Sequence, residues 1–134
     1  MERREFLKVI AGFPLFAVAR LGQAGPKPRR IVLQESPLAG YQFHEGPRVW
    51  KRLKVGDSLT LVREPDNPYD DRAVRVEWRD HKIGYLPRVE NAVASQLLDR
   101  GAHLTACIAG LREDRDPWSR VKVQVFLVHD GEPD

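Results

Sequence analysis

Across residues 31–128 the apolar positions recur mainly with period two. Leu59 and Leu61 form one such pair, Val74, Val76 and Trp78 a second set, and Val121, Val123, Val125 and Leu127 a third, with Lys122 and Gln124 on the opposite face. This alternation predicts half-buried strands. Shorter or less regular runs at residues 31–33, 41–43, 82–85 and 104–111 bring the expected total to about six or seven. One segment follows the helical period instead. Over residues 92–100, Val93 falls beside Leu97 and Ala94 beside Leu98 at i,i+4, with Asn91 placed to cap the start and Gly101 to end it at C′. A second, short helical turn across residues 47–53 would set Val49, Trp50 and Leu53 on one side, and residues 113–117 read as a polar turn before the last strand. Mainly β structure with one or two short helices predicts a small closed or nearly closed barrel, because closure removes exposed strand edges; an open sandwich fits the same pattern.

Residues 1–24 do not share this pattern. A basic start is followed by an apolar run at 9–19 and a small-residue stretch ending at Ala24, the layout of an export signal. The apolar run is too short for a hydrocarbon core of about 30 Å and is interrupted by Gly12 and Pro14, so no stable membrane span is expected in the mature chain. Arg3, Arg4, Phe6, Leu7 and Lys8 resemble the twin-arginine export motif, with Glu2 where Ser or Thr is usual. Cleavage is expected after Ala19 or Ala24, and the protein is expected to be exported or periplasmic if the signal is used, and cytoplasmic otherwise. An amphipathic or buried N-terminal helix is the alternative reading of the same residues. Residues 25–30, with Pro26 and Pro28, read as a linker, 31–128 as the folded domain and 129–134 as a tail.

Charge changes the picture once the signal is set aside. The whole chain has a net charge of +3 and a pI near 9.2. Without residues 1–24 it has 18 basic and 17 acidic residues, so bulk charge is no argument for nucleic-acid binding. The single cysteine, Cys107, excludes an internal disulfide or a cysteine-based zinc cluster. His44, His81, His103 and His129 have no ligand spacing, and Asp70-Asp71 and Asp114/Asp116 sit in turn sequences where Asp holds backbone groups. Neither a phosphate-binding glycine loop nor a nucleophile elbow occurs. No catalytic residue, metal or cofactor is therefore expected, and the chain reads as a binding module and not an enzyme.

The most distinctive stretch is Arg63-Glu64-Pro65-Asp66-Asn67-Pro68-Tyr69-Asp70-Asp71-Arg72, followed by Lys82-Ile83-Gly84-Tyr85-Leu86-Pro87-Arg88 and Asn91. Pro65 and Pro68 restrict the backbone around Asp66-Asn67, which presents Tyr69 and Asp70 on a rigid polar loop before a strand. With Ala39-Gly40-Tyr41-Gln42-Phe43 and the Leu53-x-x-Gly56-Asp57 turn, this pattern resembles the HIRAN domain over about residues 31–111, with the domain expected to run on to 128.

The resemblance implies an OB-like β-barrel that recognises the 3′ end of single-stranded DNA by aromatic stacking and a carboxylate that accepts from the 3′-hydroxyl. Carried over by position, Tyr69 would stack on the terminal nucleotide and Asp70 would accept from its hydroxyl. Phe43 falls on the family's second aromatic, and Arg88 on a phosphate-contacting lysine. Gln42 stands where a DNA-binding member has a basic residue, and Tyr85 where it has a histidine. Read without the resemblance, Phe43 and Tyr85 are packing residues and Asp70 holds its own turn. Arg48, Arg63, Arg72, Arg75 and Lys82 either line a phosphate groove or are ordinary solvated charge. The expected function is single-stranded nucleic-acid binding. The alternative is an exported, non-enzymatic binding or scaffolding domain with a protein or other non-nucleic-acid partner. An accessory to an ATPase or nuclease on another chain is a third possibility, because family members are often fused to helicase modules.

Overall fold

The structure is a computed structural model and describes residues 29–129; Arg3, Arg4, Phe6, Leu7 and Lys8, expected to form an export signal, lie outside the described residues. Six strands and two short α-helices follow one another as β1 (Arg29–Pro37), α1 (Gly46–Val49), β2 (Ser58–Glu64), β3 (Ala73–Trp78), β4 (His81–Tyr85), α2 (Ala92–Asp99), β5 (His103–Leu111) and β6 (Val121–His129). Their order in the sheet is β1-β6-β5-β2-β3-β4. β2 turns the corner: Ser58 and Leu59 pair with Cys107 and Ala106 of β5, whereas Thr60 to Glu64 pair with β3. One strand thereby belongs to both halves of the sheet, as strands do at barrel corners.

Closure comes at Ala39, just after β1. Its N–H donates to the Tyr85 carbonyl and the Tyr85 N–H donates back to the Ala39 carbonyl, both at 2.9 Å, while the Leu38 N–H reaches the Val121 carbonyl at 2.9 Å. The result is an OB-like barrel. Its interior holds the alternating residues picked out by period two: Val74, Val76 and Trp78 with Val121, Val123 and Val125, together with Leu38, Ile83 and Ile108. The buried Trp78 indole N–H donates to Asp57 at 2.9 Å, and the same carboxylate accepts from the Lys54 N–H, so the turn before β2 satisfies the one polar atom of the largest core side chain.

Two local expectations are corrected. Residues 41–43 are a 3-10 turn and not a strand, because Gly40 takes a left-handed φ of 73° and sends the Tyr41 ring inward against Gly46 and Trp50. Asn91 precedes α2 as expected, but its side chain makes no cap hydrogen bond; its backbone is already helical at φ −101° and ψ 0°, and its amide is turned elsewhere. The helix ends as expected, with Gly101 at φ 84° and its N–H on the Leu98 carbonyl.

The seam demands a glycine beside it. A Cβ at position 84 would lie 2.5 Å from the Ala39 carbonyl oxygen and 2.8 Å from Leu38, neither of which can retreat without opening the barrel. Gly84→Ala should therefore cost about 1–3 kcal/mol in urea unfolding, as overpacking does. Gly56→Ala, where no atom lies within 4 Å, should cost only the strain of its positive φ, about 1–2 kcal/mol, and leave the seam intact.

Candidate nucleic-acid interface

The connection from β2 to β3 is built as two locked turns. The Asn67 N–H donates to the Glu64 carbonyl at 3.1 Å and the Ala73 N–H to the Asp70 carbonyl at 3.1 Å. Pro65 presets the first turn, and the Asn67 side chain spans to the second by accepting from the N–H groups of Tyr69 at 2.8 Å and Asp70 at 3.2 Å. Tyr69 is thus held by its backbone while its side chain is 83% exposed. Exposure of a whole aromatic ring on a fixed loop leaves a face free for stacking.

Asp70 is held from two sides. One carboxylate oxygen accepts from the Arg72 N–H at 3.0 Å and the other from the Asn91 amide at 2.8 Å. Burial pushes its pKa up, but the Arg72 N–H, the Asn91 amide and the charges of Arg88 and Arg72 outweigh burial and hold the carboxyl below its ordinary range. Asn91 is fully buried, and its own side-chain oxygen has no hydrogen-bond partner. Such an orphan is costly. The amide nitrogen is committed to Asp70 and the oxygen makes no cap, so Asn91 fixes a carboxylate without closing the start of the helix it precedes.

Together these residues line a groove of about 240 Å³ at the barrel seam. Tyr69, Asp70, Tyr85 and Arg88 all border it, as does Asn67, and Ala39, Ala73 and Leu86 form its apolar surface. Arg72 and Arg88 also border a more polar hollow beside it. Tyr85 is half-buried, with His44 edge-on to its ring at a centroid distance of 5.6 Å and the Lys82 ammonium 4.8 Å from its ring centre. Its hydroxyl donates to Glu64 at 2.8 Å. Burial first, then the Lys82 charge, lowers the His44 pKa, so a neutral imidazole sits against Tyr85 near neutral pH.

Of the six residues expected at the site, the groove unites four; Gln42 and Phe43 lie outside its lining, both exposed, on the Tyr41–Phe43 turn. Phe43 is 77% exposed and does not pack in the core. Among the cations, Arg63 forms an ion pair with Asp99 of α2, to which its Nη2 donates at 3.2 Å, and donates to the Ala73 carbonyl through Nη1 at 3.3 Å, and Arg75 bonds Glu64 at 2.6 Å and Glu77 at 2.8 Å. These two brace the fold. Arg48 is exposed and borders neither hollow.

A match to the HIRAN domain covers residues 31–129. The chain belongs to the HIRAN family. A Lactobacillus plantarum protein of known crystal structure superimposes with a TM-score of 0.65 at 25% identity, over 75% of this chain and 97% of that one. The crystal structure of the HIRAN domain of human HLTF has the same fold, with a TM-score of 0.54 at 15% identity over 79% of each chain. A Fanconi-associated nuclease 1 homolog from Oryza sativa subsp. japonica is 33% identical over 89 residues, which is 63% of this chain and 9% of that protein. The chain therefore spans a small part of that relative's length.

This HIRAN barrel also carries contacts that the sequence reading did not single out. Glu64 and Asn67 are in the distinctive stretch, yet only the packed loop shows that their side chains hold it. Trp118, 48% exposed, borders a second groove of about 350 Å³ with Arg112 and Lys122. Pro37 borders that groove and Ala39 the first, which places the two within about 7 Å along the backbone, and the turn carrying Trp118 packs on the turn carrying Phe43. An exposed tryptophan beside two cations was readable as a candidate stack, but only the fold brings it next to the seam.

The buried amide makes a direct prediction. In Asn91→Ala the Asp70 carboxyl loses a donor to its charged form, so its pKa should rise toward the ordinary value of about 3.9, read by carboxyl-detected NMR titration.

Proposed function

We propose that this domain is a non-enzymatic module that binds the 3′ end of single-stranded DNA in the seam groove. The observation that carries the reading is the convergence of an exposed, backbone-locked tyrosine, an ionised carboxylate and an exposed cation around one groove with apolar walls. Tyr69 stacks on the terminal base, Asp70 accepts from the 3′-hydroxyl, and Arg88 contacts the phosphate behind it. Phe43 and Trp118 supply further exposed rings along the path upstream, and Gln42 offers a neutral amide there. Stacking contributes about 1–3 kcal/mol per base, which suits a domain whose net charge is close to balanced. The name of one relative, the Fanconi-associated nuclease 1 homolog, supports a nucleic-acid setting. A nuclease name belongs to a protein of which this chain covers 9%, and the reading assigned here is binding alone.

The runner-up is a groove for a neutral, non-nucleic-acid partner, favoured by the apolar walls of Ala39, Ala73 and Leu86. Salt separates the two, since phosphate binding weakens as salt rises and a neutral contact does not.

Fluorescence anisotropy of the full chain with a short single strand should show tighter binding to a free than to a 3′-phosphorylated end, weakening with salt. Tyr69→Ala should lower affinity by about 1–3 kcal/mol with the fold intact. Equal binding to both ends, or unchanged affinity in the folded variant, would overturn the site.

A further inference from the structure

Beside the groove lies a set of charged and polar side chains that reaches its lining through Asn67 and Tyr85. Glu64, at the end of β2, accepts from the Tyr85 hydroxyl at 2.8 Å and from the Asn67 amide nitrogen at 2.9 Å with one oxygen, and from Arg75 at 2.6 Å with the other. Arg75 is in turn held by Glu77 at 2.8 Å. The carboxylate is clamped from β3 and cannot turn away.

We propose that Glu64 is a positioning residue that sets the end selectivity of the groove by fixing which way the Asn67 amide faces. The inference rests on the end-binding reading above. An ionised carboxylate can only accept, so Asn67 must offer its NH₂ to Glu64 and leave its oxygen toward the loop. That oxygen receives the Tyr69 and Asp70 N–H groups, the contacts that hold the stacking ring and the accepting carboxylate in register. With a carboxamide at position 64 the restriction weakens, because Gln can present an NH₂ to Asn67, and only the two backbone N–H groups then hold the Asn67 oxygen toward the loop. Flipped Asn67 would aim its NH₂ at two N–H donors, and the loop would be released. Glu64 remains ionised at neutral pH: burial raises its pKa, but the Asn67, Tyr85 and Arg75 hydrogen bonds hold it below the ordinary range.

The test compares oligonucleotides of one sequence ending in a 3′-hydroxyl or a 3′-fluoro group, which cannot donate, against the full chain and its variants. The wild type should prefer the hydroxyl end about tenfold, as for a hydrogen bond to a charged acceptor. In Glu64→Gln and in Asn67→Ala the preference should fall to about twofold or less, while affinity for the fluoro end, which reports stacking, changes far less. The double variant should lose no more than Asn67→Ala alone, since one residue acts through the other. A Glu64→Gln variant that keeps the wild-type preference, loses affinity for both ends equally, or adds its loss to that of Asn67→Ala overturns the proposal and leaves end binding standing. A wild type without end preference overturns both readings. Should Glu64→Gln fail to fold, NMR of the wild type decides: nuclear Overhauser contacts from the Asn67 NH₂ to the Tyr85 ring are expected, and contacts from that NH₂ to the Tyr69 backbone N–H instead overturn the amide assignment.

Discussion

The exchange of backbone hydrogen bonds between Ala39 and Tyr85 is the contact on which the rest of the molecule depends. It joins the end of β1 to the edge of β4, turns a six-stranded sheet into a barrel, and needs a glycine at 84 so that the two backbones can approach. The same contact makes the groove. Ala39 becomes one wall, Tyr85 another, and the β2–β3 loop packs against the seam because Tyr85 and Asn67 share Glu64. A residue placed to close a barrel therefore also shapes the binding surface, and loss of the seam would remove both.

Charge is partitioned in the same economical way. Arg63 and Arg75 are close to the loop in sequence but are committed to carboxylates and a carbonyl, where they tie α2 and β3 to β2. Arg72 and Arg88 face the hollows beside Asp70. The more polar hollow is lined by two guanidinium groups, Arg72 and Arg88, and two carboxylates, Asp70 and Asp71, so it presents mixed charge in a nearly neutral domain. Asp70 lies among those cations and under two hydrogen bonds, so its negative charge persists at the groove. The fully buried Asn91 donates its amide to that carboxylate, while its own oxygen has no partner among the described residues.

How far the sequence could be read depended on whether a signal was local. Period two exposed the interior faces of β3 and β6 because residues two apart on a strand share one side, and that rule needs no knowledge of the partner strand. The helix at residues 92–99 and its glycine stop were legible for the same reason. The Tyr41–Phe43 segment misled because its aromatic spacing imitates a strand, while the deciding fact, a left-handed Gly40 that packs Tyr41 onto Gly46, involves atoms distant from the pattern. Asn91 misled likewise, since a helix-capping residue type was taken by a carboxylate twenty-one positions away.

By itself the sequence determined the mainly β class, the family, the rigid proline-flanked loop and the identity of the chemically capable residues, because each is written in adjacent or regularly spaced positions. The tertiary structure alone decided that Tyr69, Asp70, Tyr85 and Arg88 share a groove while Gln42 and Phe43 stand outside it, that Arg63 and Arg75 are braces, and that Glu64 and Asn67 hold the loop. Those outcomes depend on which strand edges meet and which side chain reaches a donor first. Hydrogen bonds with a reach of about 3 Å settle such choices only after the chain has closed on itself.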